Sequence, residues 1–244
     1  MIRAVIFDMG GTLLDFNPDG LPWLEWEHLG LEQAYKTLVA QGYEIPQEAF
    51  VTRFLDELPE RWKQATAGGQ NLQLADRLCE VCAAIGLVPD KADVDRAVAQ
   101  YIGLLDAHVI AYPDTLTTLA ALQERKLKIG LVSNTMWPGE YHRRELVRFG
   151  VEPFLDHIVF SADAGVWKPQ PEIYCRSLQA LGVSAAEAVF VGDMPEHDIV
   201  GAQGVGMRGV YKRNHSFGLH EVEPDDTIDN LYELVEVVEG WLRD

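Results

Sequence analysis

Asp8, Asp193 and Asp198 are carboxylates positioned to bind or organise a hard cation, and Ser133, Asn134 and Lys168 are groups that receive an anion. A hard divalent ion wants oxygen ligands, and Mg²⁺ takes few of them from protein while keeping several waters. Asp8 and Asp193 supply carboxylate oxygens, and the backbone carbonyl of Gly10 supplies a third ligand. Asp198 either binds the ion or holds its shell in place. Ser133, with Asn134 beside it, donates to a phosphate oxygen, and Lys168 adds positive charge next to the anions. Taken singly, an aspartate after a strand organises a turn and a lysine is a solvated charge. Together they describe metal-assisted chemistry on a phosphate.

The elements that must position these groups are legible from periodicity. Residues 1–7 form a short, mostly apolar run with β-branched side chains, suited to the interior of a parallel sheet, and it stops at Asp8. Gly10 and Gly11 let the backbone turn and approach a ligand without a Cβ in the way. Further strands are expected at 128–132, 157–160, 188–191 and 207–211, two of them ending in Ser133-Asn134 and Gly192-Asp193. Helices are expected from 115 to 125, from 142 to 149 and up to Leu181, the last opened by Pro171. Such alternation specifies an α/β fold, a doubly wound parallel sheet, whose ligands gather at the carboxyl ends of its strands.

From residue 20 to 107 no convincing strand of a parallel sheet is present. Helices are expected over 23–41, 47–58, 72–85 and 91–105, which predicts a helical bundle inserted into the core. The domains are therefore 1–15 with 108–244, and 16–107. The acidic tail from Glu221 to Asp244 keeps Ile228, Leu231, Leu234, Val235 and Val238 at helical spacing, so a docked terminal helix is expected.

Composition narrows the function. Twenty basic against 38 acidic residues give a formal charge of −18, which disfavours nucleic acid and anionic membranes as partners. No apolar run is long enough for a membrane span and no export signal is legible, so a cytoplasmic location is expected. Cys79 and Cys82 have redox-motif spacing, yet Ala75, Leu78, Cys79, Cys82 and Ile85 share one helical face, which predicts core packing for both. Gly204 to Gly209 matches a dinucleotide fingerprint formally but runs into a strand rather than a helix, so it is discarded. Trp23, Trp26 and Trp62 are expected to pack inside the insertion.

The ordered motifs resemble the haloacid-dehalogenase-like hydrolase superfamily, specifically its magnesium-dependent phosphatases. Asp8-Met9-Gly10-Gly11-Thr12 resembles the first signature, Ser133 the second, Lys168 with Pro169, Pro171 and Glu172 the third, and Gly192-Asp193 with Asp198 the fourth. The resemblance implies a Rossmann-like core, a helical cap over the site at 16–107, and a small phosphorylated metabolite as substrate. It also implies that Asp8 attacks phosphorus to form an aspartyl-phosphate, with Thr12, Ser133, Asn134 and Lys168 at the phosphate and Mg²⁺ at Asp8, Gly10 and Asp193. Gly10 departs from the pattern, since the family's phosphatases carry a second aspartate there as acid and base. The family's halide-removing members lack this type of metal-binding fourth motif. A non-catalytic phosphate- or protein-binding module on the same scaffold is the alternative.

Overall fold

The computed structural model describes residues 1–214 and 221–243. Its first strand, β1 (Ala4–Phe7), is wholly buried. Val5 and Phe7 join one apolar cluster while Ala4 and Ile6 join another, as a two-residue period requires of a strand covered on both faces. The chain then makes β2 (Leu14–Asp15) and four helices: α1 (Trp23–Ala40), α2 (Gln47–Thr66), α3 (Leu74–Ala84) and α4 (Lys91–Asp106). It returns through β3 (Ile110–Ala111), which pairs antiparallel with β2. There follow α5 (Thr115–Glu124), β4 (Lys128–Ser133), α6 (Gly139–Arg148), β5 (His157–Phe160), α7 (Ser161–Ala164) and α8 (Pro171–Leu181). Next come β6 (Ala188–Gly192), a wide π-helical stretch (Pro195–Val200) that runs into α9 (Gly201–Gly204), β7 (Arg208–Lys212), β8 (Asp226–Ile228) and α10 (Leu231–Arg243).

Six strands form one parallel sheet in the order β5-β4-β1-β6-β7-β8. Leu119, Leu122, Leu146, Leu231, Leu234 and Val238 from α5, α6 and α10 cover one face. Ile173, Tyr174, Leu178 and Leu181 from α8, with Ala202, cover the other. The doubly wound fold expected from sequence is present. Strand order reverses at β1, between β4 and β6, and that is where such sheets open a crevice.

The helices α1 to α4 bury a cluster of their own, including Leu31, Phe54, Leu78 and Tyr101. Met136, Trp137 and Trp167 from loops at the sheet's carboxyl edge belong to it too. The bundle therefore seats on the end of the sheet that carries Asp8. No helix is long and apolar enough to cross a membrane among the described residues.

Four local expectations need correction. The second helix does not stop at Leu58 but continues through Pro59 to Thr66. Proline costs about 3 kcal/mol inside a helix, and burial of Phe50, Phe54, Leu58 and Ala65 along one side offsets it. Cys79 is exposed while Cys82 is buried, because the inward turn of α3 is taken by Arg77 and Leu78. Arg77 can be buried since Glu57, Glu80 and the carbonyl of Arg53 receive its two terminal amino groups. Ile228 is not helical but closes the sheet in β8, paired with Lys212. The helix behind it starts at Leu231, whose N–H donates to Asp114 Oδ2 at 2.6 Å. Of the three tryptophans, Trp26 is buried, whereas Trp23 is 40% exposed. Asp244, at the end of the expected terminal helix, lies outside the described residues.

Glu27 is a carboxyl buried between α1 and α4, receiving Tyr101 Oη–H and, at 3.0 Å, Trp23 Nε1–H. Burial raises its pKa against the opposing pull of these two hydrogen bonds. The folded state then holds this proton more tightly than the unfolded chain, so the group's favourable contribution is greatest at low pH and is lost as pH rises. Glu27→Gln should accordingly match the wild type in thermal melts near pH 4 and exceed it at pH 8. A gap that stays constant with pH would remove this assignment.

Candidate active site

The crevice is built from the first residues past three adjacent strands. Asp8 N–H donates to the Val191 carbonyl at 2.8 Å, which holds it in line with β1. Beyond it the chain closes a tight turn, with the N–H groups of Leu13 and Leu14 both donating to Met9 O at 2.9 Å and Gly11 N–H to Leu14 O at 2.8 Å. Only one of the two glycines is conformationally required. Gly11 has φ 75°, and a Cβ there would lie 2.2 Å from Asp193 Oδ2. Gly10 has no positive φ, and its Cβ would meet only the Phe16 ring at 3.4 Å. The space beside Gly10 is thus bounded by an aromatic face.

Lys168 arrives from the loop between α7 and α8 and is 2% exposed. Its Nζ donates to Asp8 Oδ1 at 2.6 Å and to Asp198 Oδ1 at 2.7 Å. Burial alone would lower the lysine's pKa, but Asp198 and Asp8 outweigh it and hold it above its ordinary value. The same balance works against Asp8, where burial dominates and Lys168 opposes, leaving its pKa at about 6. Asp198 Oδ2 accepts Met194 N–H at 2.8 Å, so both of its oxygens are engaged.

Asp193 differs. Its Oδ2 accepts Asn214 Nδ2–H at 2.6 Å, but its Oδ1 is buried with no hydrogen-bond partner among the described residues. Burial and then the charges of Asp8 and Asp198 push its pKa well up. Ligand-competent oxygens of Asp8, Asp193 and Asp198 lie within 4.8 Å of one another. A buried carboxylate oxygen without a donor, facing two more carboxylates, fits a hard divalent cation.

The anion-receiving residues lie alongside. Ser133 ends β4 and is buried. Asn134 does not project freely, because its side chain is clasped to the Lys168 backbone, donating to its carbonyl at 2.9 Å and accepting its N–H at 2.8 Å. Thr12 Oγ1 makes a long 3.5 Å hydrogen bond to Asp8 Oδ2. Asp15, the next acidic residue along the turn, caps it by accepting Asn17 N–H at 2.9 Å.

Several participants carried no sequence signal. Thr135 Oγ1 meets His142 Nε2 at 2.7 Å, and His142 Nδ1 meets Glu145 Oε2 at 2.7 Å, a buried chain that anchors the loop bearing Ser133 and Asn134. From the helical bundle, Trp62 packs edge-on against Trp167 at 4.9 Å, and Asn71 Oδ1 accepts Trp167 Nε1–H at 2.8 Å. Asn71 and Gln73 both donate to the Ala162 carbonyl at 3.0 Å. The connection between α2 and α3 is thereby tied to the loop that delivers Lys168. The contacts of Trp62, Asn71 and Gln73 span about 90 positions or more, which hides them from local patterns.

Comparison with known proteins places the chain among relatives of one kind. The family model described as haloacid dehalogenase-like hydrolase matches residues 2–206. A glyceraldehyde 3-phosphate phosphatase of Methanopyrus kandleri is 31% identical over 100% of both chains. A HAD phosphatase from Thermococcus onnurineus superposes with a TM-score of 0.69 at 27% identity, covering 98% of this chain and 99% of the other. A 2-haloacid dehalogenase from Pseudomonas syringae also reaches 0.69, at 25% identity, covering 99% and 100%.

Lys168 compensates two buried carboxylates, so truncating it leaves charge without a partner. In metal-free buffer at pH 7, Lys168→Met should lose about 3–5 kcal/mol of stability in urea unfolding. A loss below about 1 kcal/mol would show that water, rather than this amine, satisfies Asp8 and Asp198.

Proposed function

The chain belongs to the haloacid dehalogenase-like hydrolases, and from that premise we propose that it is a Mg²⁺-dependent phosphomonoesterase acting on a small phosphorylated metabolite. The observation that carries the proposal is the buried convergence of Asp8, Asp193 and Asp198 around Lys168. Three carboxylates against one ammonium leave an excess of negative charge, which a phosphate cannot approach without a further cation. Asp8 and Asp193 would hold Mg²⁺ together with the Gly10 carbonyl, and Asp198, already spent on Lys168 and Met194 N–H, would support the shell. Bound there, Mg²⁺ supplies charge neutralisation and polarises the phosphoryl oxygens. Halide removal is disfavoured because Gly192-Asp193 supplies a carboxylate suited to a metal, a type of fourth motif that the family's halide-removing members lack.

Asp8 is the nucleophile in this reading. A carboxylate oxygen of Asp8 attacks phosphorus, the bond to the leaving oxygen breaks, and the leaving group departs with the electron pair. Water then attacks the aspartyl-phosphate at phosphorus, releasing inorganic phosphate and restoring the carboxylate. Lys168 favours the ionised nucleophile and faces the charge that develops on the phosphoryl group. Ser133 and Thr12 donate to its oxygens, while Asn134 acts by fixing the Lys168 backbone. Residues 16–107 serve as the cap, excluding water and contributing substrate contacts. The three-carbon phosphate named for the Methanopyrus relative falls within the substrate class.

Gly10 leaves the departing oxygen without a positioned acid, and Phe16 lines the space that an acid would fill. Loss of such a group typically costs about 10²–10⁴-fold in rate, most for poor leaving groups. Wild-type protein should release phosphate from a panel of small organic phosphates only with Mg²⁺ present, and Asp8→Asn should abolish release. Asp193→Asn should weaken Mg²⁺ binding in calorimetry. Absence of phosphate release across the panel would favour the phosphate- or protein-binding module instead. A Cβ at Gly10 meets only the Phe16 ring, so Gly10→Asp should raise alkyl-phosphate turnover more than aryl-phosphate turnover. A folded, metal-binding Gly10→Asp protein with equal or no gain would refute the account of the missing acid.

A further inference from the structure

One buried cation near the site has no part in the chemistry described above. Lys212 ends β7 and is 5% exposed, yet it forms no ion pair among the described residues. A lysine this buried ordinarily requires a carboxylate partner. Here Nζ donates instead to the carbonyl of Gly11 at 2.9 Å and sits 3.8 Å from the centre of the Tyr112 ring. Burial lowers its pKa, with Asp114, Asp193 and Asp15 acting in the other direction from farther off.

The remaining contacts of the same turn show what this arrangement accomplishes. Leu13 O accepts Tyr112 N–H at 3.2 Å and Thr115 Oγ1–H at 2.8 Å. The Asp8–Leu14 turn is therefore gripped from the β3 side by its Leu13 carbonyl and from the β7 side by its Gly11 carbonyl. Gly11 is also the residue whose Cα packs against Asp193, with Asn214 just beyond. Lys212 thus holds the backbone of the turn that follows Asp8 and Gly10.

We infer that Lys212 is a positioning residue that clamps the nucleophile-bearing turn through the Gly11 carbonyl, with Tyr112 as the aromatic seat that holds its ammonium in place. A charge-assisted hydrogen bond in a buried setting is among the stronger single contacts available, and cation–π contact with Tyr112 compensates part of the ammonium's lost hydration. The hydrogen bond that its ammonium makes is directed into the backbone of the turn.

The catalytic consequence of the clamp rests on the phosphatase reading, but the clamp itself does not. The test therefore has two arms, on Lys212→Met, Lys212→Arg and Tyr112→Leu. In metal-free protein, hydrogen exchange at the amides of Gly11, Leu13 and Leu14 should quicken about 10- to 100-fold in Lys212→Met, with Lys212→Arg in between. Tyr112→Leu should show a smaller change of the same sign, and it carries the test if Lys212→Met does not fold. In turnover assays with Mg²⁺, Lys212→Met should lower kcat about tenfold or more with KM for the phosphate substrate little changed. Unchanged exchange in a folded Lys212→Met protein overturns the clamp. So does a rise in KM at constant kcat that salt abolishes, since that marks a substrate-attracting charge. Wild-type protein that hydrolyses nothing, with the exchange effect intact, refutes the phosphatase reading and leaves the clamp standing.

Discussion

Burying Lys168 between Asp8 and Asp198 imposes a demand that shapes everything around it. An ion pair out of water is stable only when its remaining donors and acceptors are satisfied. Asp198 meets this with Met194 N–H, the Lys168 backbone with Asn134, and the ammonium with the Phe190 ring, 5.2 Å from Nζ. Those partners come from β6 and from the end of β4. The sheet's register, which brings Phe7 opposite both Leu131 and Val191, is what lets three loops meet at one ammonium. Among the described residues Asp193 is left with an oxygen unpaired, and the site's unmet need is therefore for positive charge.

The turn after β1 divides its labour between its two glycines. Gly11 is indispensable geometrically, since its missing side chain is where Asp193 lies. Gly10 has no positive φ and room for a Cβ, so backbone geometry does not demand glycine there. Phe16 borders it and packs edge-on against Trp137 and His142 at 6.1 and 5.7 Å. That aromatic group lowers the local polarity beside Gly10.

The architecture was legible because it depends on periodicity. The alternation in Ala4 to Phe7 and the apolar run through Val191 announce buried strands whose carboxyl ends carry Asp8 and Asp193. What sequence could not reveal is which polar residues meet across the fold. Lys168 and Asp8 are 160 positions apart, and Lys212 and Gly11 are 201 apart. Ser133 stands at a strand end and could be anticipated, whereas Asn134 turned out to bind backbone. Cys79 was misplaced because a charged residue, Arg77, took the inward position once Glu57 and Glu80 were in reach. Short strands such as β2, β3 and β8 escaped notice because two or three residues carry no period.

The ribbon of β2 and β3 brings Leu14 beside Ala111 and Asp15 beside Ile110, so the helical excursion leaves and re-enters the sheet domain at a single point. Topologically the core sees it as a closed loop whose ends are already tied. Closure entropy for such a loop grows only logarithmically, about 0.6 kcal/mol for each doubling of length. The entropy of closing it therefore depends little on its size. A lineage could lengthen or shorten those helices while the register of β1 stayed fixed, so long as the contacts with Trp167 and Ala162 were kept.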